Sequence, residues 1–238
     1  AGVKKLSLEL GASSPVLVLP DADVELASRA VALGGYINSG QVCISVQRVI
    51  VHEKIKADFL DALKPLVEKI KVGDPKAEGI EVGTLINEKE ATRVANSIKN
   101  AVLEGAKLIT GGEQEGAIVK PAIVSEVDPK AAIAQDELFG PAVIVSTATS
   151  TKEALDFANS TPYGLGSGVF TKDVNAAIQS AREIDSGIVH INWTPLWRAD
   201  LMPYGGLKAS GIGKEGVRSA IEEMTEVKTI ILHGQSWN

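Results

Sequence analysis

The sequence has a single cysteine, Cys43, among its 238 residues. One cysteine cannot form an internal disulfide, so the composition is typical of a reducing compartment, and we expect a cytoplasmic protein. Long apolar runs are also missing, because none reaches the roughly 18 residues that a membrane-spanning helix needs. The sequence therefore predicts neither a disulfide-stabilised fold nor a membrane protein.

Positive charge and histidine are both scarce. The chain has 24 lysine and arginine residues against 30 aspartate and glutamate residues, which gives a formal net charge of −6. Nucleic acids and anionic membranes would repel such a chain, so we expect neither as a partner. The histidines His52, His190 and His233 are isolated from one another, and no pair has metal-ligand spacing. We therefore predict no bound metal.

The periodicity of the apolar residues predicts alternating strands and helices. Alternation at every second residue predicts strands, and recurrence at three- and four-residue steps predicts helices. The predicted strands are 6–10, 15–19, 46–51, 107–110, 117–124, 143–147, 164–170, 187–192 and 226–232. Helices are predicted near 21–35, 55–70, 88–104, from 151, near 174–184 and shortly before 226. This order predicts an α/β fold with a mostly parallel sheet and flanking helices.

Local signals predict how three of these helices begin or break. Asp21 is a candidate N-cap for the first helix, and Ser150 begins a capping box with Glu153. Pro65 lies inside the apolar pattern of the second helix. Its missing N–H should kink or divide that helix.

Cys43 and Glu9 are the candidate catalytic pair. A lone cysteine is most often a small buried hydrophobe, but Cys43 follows a polar, glycine-containing junction, Asn38 to Val42, which favours a nucleophile. Glu9 lies in a strand formed otherwise by leucines, where partial burial would raise its pKa and suit it to act as a base. A thiol and a carboxylate base are the groups that capture a carbonyl carbon and hydrolyse the resulting thioester.

Three segments resemble the aldehyde dehydrogenase superfamily. They are Leu8-Glu9-Leu10-Gly11, Gly40-Gln41-Val42-Cys43 and Glu137-Leu138-Phe139-Gly140-Pro141. The resemblance extends from about Lys5 to about Leu232 and implies the C-terminal, catalytic half of such an enzyme. Residues 1–10 would then end a preceding dinucleotide-binding domain, residues 11–213 would form the catalytic domain, and residues 214–238 would supply a C-terminal helix and an oligomerisation strand.

The resemblance also implies a reaction. Cys43 would attack an aldehyde to form a thiohemiacetal, and oxidation by NAD or NADP would leave a thioester that Glu9 helps water to hydrolyse. Glu137 would bind the nicotinamide ribose and Phe139 would pack beside the nicotinamide ring. Most cofactor contacts are expected from the preceding half, so this chain alone is expected to bind NAD(P) weakly and to be inactive. A homo-oligomer is expected.

The segment from Trp193 to Gly213 supplies the candidate substrate contacts. In the family, the loop that matches Trp193 to Met202 shapes the substrate entrance, and Pro203 to Gly211 resembles a late active-site segment. We expect Trp197, Arg198 and Tyr204 to contact the substrate. The Arg198 guanidinium suits a carboxylate, phosphate or sulfonate, so the expected substrate is a short anionic aldehyde or semialdehyde. Glu215 matches a glutamate that supports the active site in the family.

One glycine motif and two alternative functions remain to be considered. Gly211 to Gly216 matches G-x-G-x-x-G, but it follows a polar loop and leaves too little chain for a βαβ unit, so we interpret it as a loop before a helix. A cysteine acyltransferase or hydrolase without nicotinamide remains an alternative, although the nearest histidine in sequence is His52. A non-catalytic oligomerisation domain is the other alternative.

Overall fold

The computed structural model describes residues 2–234. Ala1 and residues 235–238, which belong to the predicted segments 1–10 and 214–238, lie outside the described residues. The strands are β1 Leu8–Glu9, β2 Ser14–Val18, β3 Val46–His52, β4 Lys107–Thr110, β5 Gln114–Glu115, β6 Ile118–Val119, β7 Ala122–Ser125, β8 Ala142–Ala148, β9 Tyr163–Gly164, β10 Gly166–Phe170, β11 Ile188–Ile191, β12 Leu207–Lys208 and β13 Gly211–Ile212. The helices are α1 Val24–Tyr36, α2 Lys56–Glu68, α3 Glu88–Leu103, α4 Ala132–Gln135, α5 Thr151–Asn159, α6 Val174–Glu183 and α7 Val217–Met224.

The main sheet is mostly parallel, as predicted. Within residues 2–234 it has seven strands in the order β11-β10-β2-β3-β8-β7-β4. All neighbouring strands in it run parallel except β4, which pairs antiparallel with β7 at one edge. The predicted α/β class with flanking helices is confirmed.

Helices cover both faces of this sheet. In β2, Val16 and Val18 point into a core shared with α1 and α2, whereas Leu17 packs on the opposite face with α5. The central strands β2 and β3 are buried along their whole length. Burial on both faces explains why these strands are nearly continuous apolar runs rather than alternating ones.

The first helix begins later than predicted. Asp23, not Asp21, is the N-cap of α1, and its Oδ1 accepts a hydrogen bond of 2.9 Å from the N–H of Leu26. Asp21 instead accepts from the hydroxyl of Thr171 and from the backbone N–H of Lys172. This tertiary role fixes the loop before α6, and the helix cap moves two residues along the chain. The capping box at Ser150 is as predicted, since Ser150 caps α5.

Proline acts differently at two positions. Helix α2 runs from Lys56 to Glu68 and is not divided at Pro65, because the buried residues Leu63 and Val67 on either side hold it against the core. The strand predicted over 117–124 is divided into β6 and β7 around Pro121, which has no N–H to continue a ladder.

The C-terminal region contains the predicted helix, α7, but no strand of its own. Residues 226–232 pair with no strand in the described part of the chain, and Val227, Ile230 and Leu232 are 97%, 73% and 71% exposed. Pairing across subunits, which the sequence analysis expects, stays a prediction.

Candidate active site

The candidate site forms where three neighbouring parallel strands begin. Glu9 lies before β2, Cys43 before β3 and Glu137 before β8. These strands are adjacent in the sheet and point the same way. Their starting ends therefore meet at one edge, and this topology brings together residues that are far apart in sequence.

A strained turn presents Cys43. After α1, a short 3-10 segment from Ile37 to Gly40 contains Asn38 and Ser39 with φ of 50° and 57°, which side-chain-bearing residues rarely adopt. Gly40 has φ of 71°, and a Cβ there would collide with the carbonyl oxygen of Gly140. Only glycine allows this approach, so the turn before Cys43 packs directly on the segment that follows Glu137.

The Cys43 thiol contacts a buried tyrosine. Its Sγ lies 2.9 Å from the hydroxyl oxygen of Tyr204, which is 4% exposed. Burial and the hydrogen bond with Cys43 raise the pKa of Tyr204, and the negative charge of Glu9 adds to this. The phenol therefore stays protonated and is able to donate its hydrogen to a thiolate on Cys43.

Arg198 and Glu215 surround Tyr204. The guanidinium carbon of Arg198 lies 4.4 Å from the centre of the Tyr204 ring, a cation–π arrangement. The Nη2 of Arg198 donates a 2.8 Å hydrogen bond to Glu215 Oε2. Tyr204 and Glu215 also exchange backbone hydrogen bonds of 3.1 and 2.6 Å. The structure thus groups the predicted substrate contacts Arg198 and Tyr204 with the predicted supporting residue Glu215.

Glu9 approaches this group from β1. That strand pairs antiparallel with β13, in which Gly211 is the partner of Glu9. The partner is a glycine because a Cβ at this position would collide with the backbone of Leu8. Glu9 Oε1 lies close to Gly205, at 3.2 Å from where a Cβ of that residue would stand. Desolvation and then the charge of Glu215 raise the pKa of Glu9, whereas Lys214 lowers it. The leucines beside Glu9 are exposed in this chain rather than packed.

Glu137 and Phe139 also lie near Cys43. A small cavity is lined by Cys43, Glu137 and Phe139 together. Glu137 Oε1 accepts a 2.9 Å hydrogen bond from the N–H of Ala12, and burial raises the pKa of this carboxyl. Phe139 is 41% exposed and has φ of 50°. A carboxylate with a second oxygen available and an exposed ring beside it fit a ribose hydroxyl and a flat heterocycle.

The structure places Trp197 beside His190. Trp197 is 55% exposed and meets the ring of His190 edge-on at 6.1 Å between centroids.

The sequence analysis missed one polar residue, Gln47, whose side chain forms hydrogen bonds with the segment around Glu137. A glutamine within the apolar strand β3 is the sequence signal that would have identified it.

Among the described residues, no three histidine, cysteine, aspartate or glutamate side chains are grouped so that they could hold a metal ion. None of the helices in residues 2–234 is long and apolar enough to cross a membrane.

The comparison with known proteins identifies the family. The chain matches the aldehyde dehydrogenase family over residues 1–230, and it belongs to that family. It is 44% identical over 233 residues to the 3-sulfolactaldehyde dehydrogenase of Priestia aryabhattai, covering 98% of this chain and 49% of that protein. It is 40% identical over 231 residues to the lactaldehyde dehydrogenase of Methanococcus vannielii, covering 97% of this chain and 50% of that one.

A solved structure agrees with the fold. The glyceraldehyde-3-phosphate dehydrogenase of Methanocaldococcus jannaschii, solved as a complex with NADP, superposes with a TM-score of 0.94 at 41% identity. The superposition covers 97% of this chain and 50% of that one. The chain thus spans about half the length of the relatives it matches.

Proposed function

We propose that this chain supplies the nucleophile and the base of an NAD(P)-dependent oxidation of an aldehyde to a carboxylic acid. The observation that carries the proposal is that Cys43 touches two separate groups of side chains. Its thiol contacts Tyr204, which packs under Arg198, and it lines a small cavity together with Glu137 and Phe139. A carbonyl carbon held at Cys43 would therefore lie between a substrate side and a cofactor side.

Each residue of this chain has a distinct task in that reaction. The Cys43 thiolate attacks the carbonyl carbon to form a thiohemiacetal, and the Cys43 backbone N–H would stabilise the developing oxyanion. The Tyr204 hydroxyl, 2.9 Å from the sulfur, would donate a hydrogen bond to the thiolate as it attacks. Glu9 takes a proton from the water that hydrolyses the Cys43 thioester, and its raised pKa makes it a better proton acceptor than an ordinary carboxylate.

Glu137 and Phe139 would hold the nicotinamide half of NAD or NADP. When bound, the nicotinamide supplies the acceptor for the hydride. One oxygen of Glu137 already binds the Ala12 N–H, which fixes the carboxylate while its second oxygen remains an acceptor for ribose hydroxyls. The relative from Methanocaldococcus jannaschii was solved with NADP, which supports a nicotinamide cofactor here.

A short anionic aldehyde is the substrate class we propose. Arg198 binds Glu215 through Nη2, and its side chain is 39% exposed, so the guanidinium remains accessible to a further anion. The names of two relatives, a 3-sulfolactaldehyde dehydrogenase and a glyceraldehyde-3-phosphate dehydrogenase, describe anionic aldehydes of three carbons. Trp197 remains a candidate contact for the substrate at the entrance to the site, because its side chain is exposed.

The two alternatives have less support. An acyltransferase or hydrolase that works without nicotinamide would need a base such as histidine at Cys43, whereas the side chain that Cys43 contacts is Tyr204. Such an enzyme would also leave Glu137 and Phe139 without a task. A purely structural oligomerisation domain does not need a cysteine beside a protonated tyrosine.

An aldehyde panel tests the proposed function. With the chain at its full native length, nicotinamide reduction is followed with 3-sulfolactaldehyde, glyceraldehyde 3-phosphate and neutral lactaldehyde. We expect reduction with NAD or NADP that is lost in Cys43→Ala and retained in Ser146→Ala, a buried substitution away from the site. Absence of reduction with every aldehyde, while Cys43 still reacts with a thiol reagent, would contradict the proposal.

Residues 226–232 are the segment that we expect to join subunits. We propose that residues 226–232 pair with a second copy of the chain, because their apolar side chains are exposed. Sedimentation of a Thr229→Pro variant tests this, and an unchanged oligomer would contradict it.

Two further predictions rest on the sequence alone. They are the division into domains at residues 10 and 213 and the cytoplasmic location.

A further inference from the structure

Gln47 is a buried polar residue in an apolar strand. It is the second residue of β3 and is 6% exposed. Its Nε2 donates to the carbonyl oxygens of Ile133 at 3.0 Å and Asp136 at 2.7 Å, and its Oε1 accepts from the N–H of Leu138 at 2.8 Å. Both amide hydrogens and the amide oxygen are therefore used, all on one short segment of backbone.

These hydrogen bonds lie on both sides of Glu137. Asp136 and Leu138 are its sequence neighbours, so the Gln47 amide fixes the peptide groups before and after it. Arg93 Nη2 binds the carbonyl of Leu138 at 2.7 Å from the other direction. The backbone at Glu137 thus has little freedom to rotate, which directs the Glu137 carboxylate toward the Ala12 N–H.

The same contacts support the strained residue that follows. Phe139 has φ of 50°, a conformation that is disfavoured for a residue with a side chain. Such a conformation persists where the surrounding structure over-determines it. Leu138 is held at its N–H by Gln47 and at its carbonyl by Arg93, which fixes the peptide group that precedes Phe139.

We propose that Gln47 is a positioning residue for the cofactor side of the active site. It is the second residue of the strand that follows Cys43, and it holds the segment with Glu137 and Phe139 at a fixed place relative to the thiol. This inference rests on the proposed roles of Glu137 and Phe139. A merely structural glutamine would satisfy buried carbonyls and contribute to stability alone, without affecting cofactor binding selectively.

Hydrogen exchange tests the positioning independently of the reaction. Gln47→Met keeps the side-chain volume and removes the three hydrogen bonds. We expect the amides of residues 136–140 to exchange about tenfold faster, as the loss of hydrogen bonds to a buried segment implies, while β2, β3 and β8 keep their protection. Unchanged exchange at 136–140, or an equal rise throughout the sheet, would overturn the proposal.

Asn159 provides a matched control. Its Nδ2 donates to the carbonyl of Glu183 at 2.7 Å and its Oδ1 accepts from the N–H of Asp185 at 2.8 Å, so this amide also bonds to the backbone of another segment. Asn159→Leu should speed exchange near residue 185 and leave residues 136–140 unchanged. The second variant, Gln47→Glu, keeps the acceptor for Leu138 but loses both hydrogen bonds that Nε2 donates and places a carboxylate oxygen against two carbonyl oxygens. We expect it to speed exchange at residues 136–140 at least as much as Gln47→Met.

Kinetics of the chain at its full native length provide the second readout. In Gln47→Met we expect the KM for NAD(P) to rise about tenfold, while the rate at which iodoacetamide alkylates Cys43 changes less than about twofold. Asn159→Leu should change neither. Equal losses in both readouts, or no change in KM, would overturn the positioning role. Wild-type protein without nicotinamide reduction would instead refute the proposed function, and the exchange experiment would still decide on the contacts of Gln47.

Discussion

The hydroxyl of Tyr204 lies 2.9 Å from the sulfur of Cys43 although 161 positions separate the two residues. Removing that hydroxyl should lower the reactivity of the thiol. We expect Tyr204→Phe to reduce the rate of Cys43 alkylation at neutral pH about tenfold, because a hydrogen bond to a charged group is lost while the ring beneath Arg198 is kept.

Tyr36→Phe is the control for this prediction. Tyr36 is also buried, and its hydroxyl donates to the carbonyl of Ala122 at 2.9 Å, away from the thiol. This variant should lose stability by about 1 kcal/mol and keep the wild-type alkylation rate. Equal alkylation rates for Tyr204→Phe and wild type would show that the hydroxyl does not act on the sulfur.

The charges around Glu9 predict shifts of the pH profile in opposite directions. Hydrolysis by a general base increases as the base loses its proton, so the acidic limb of the profile follows the pKa of Glu9. Glu215 raises this pKa and Lys214 lowers it. Glu215→Gln should therefore move the acidic limb to lower pH, and Lys214→Met should move it to higher pH.

The measurement is the rate of acyl-enzyme hydrolysis across the acidic and neutral range. Lys152→Met removes the same charge from an exposed position beside Asp156 and should leave the profile unchanged. A shift in the same direction for both Glu215→Gln and Lys214→Met would refute Glu9 as the titrating base.

Arg198 should discriminate between charged and neutral aldehydes. Arg198→Met is expected to lower kcat/KM for glyceraldehyde 3-phosphate tenfold or more, as the loss of a charge-assisted contact implies, and to affect lactaldehyde little. Arg182→Met, at an exposed position on α6, is the control. Equal losses for both aldehydes would mean that Arg198 supports Tyr204 and Glu215 without recognising the anion.

Arg48 should be important for stability. It is 4% exposed, burial lowers its pKa to about 10, and it donates to the carbonyls of Ser13, Phe157 and Ala158 at 3.0, 2.8 and 2.9 Å. Arg48→Met leaves these carbonyls without their donor and should cost about 2–4 kcal/mol of unfolding free energy in denaturant titrations. The exposed Arg29→Met should cost less than about 0.5 kcal/mol, and equal costs would contradict this role.

Local pattern was sufficient for the fold class but not for every boundary. The buried strands β2 and β3 are apolar enough to be predicted directly, and the capping box at Ser150 marks its helix. Asp21 was wrongly chosen as a cap because a contact with the distant Thr171 gives it another role. Such long-range contacts leave no periodic signal in the sequence.

The candidate site was predictable only where short sequence motifs mark its residues. Short motifs pointed to Cys43 and Glu137, and the structure places both at the edge of one cavity. The ion pair of Arg198 with Glu215 depends on the fold of the segment between them and could not be predicted from spacing. The sequence analysis missed Gln47, because a polar residue in an apolar strand shows that it needs partners but only the fold shows that they surround Glu137.

Trapping the acyl group on Cys43 tests the central claim most directly. The Glu9→Gln variant, at full native length, is mixed with NADP and glyceraldehyde 3-phosphate, quenched in acid, and its peptides are weighed by mass spectrometry. The proposed mechanism predicts that the acyl mass accumulates on the peptide with Cys43, because the thioester forms but water is not activated. Nicotinamide reduction that continues with no acyl group on Cys43 would contradict it.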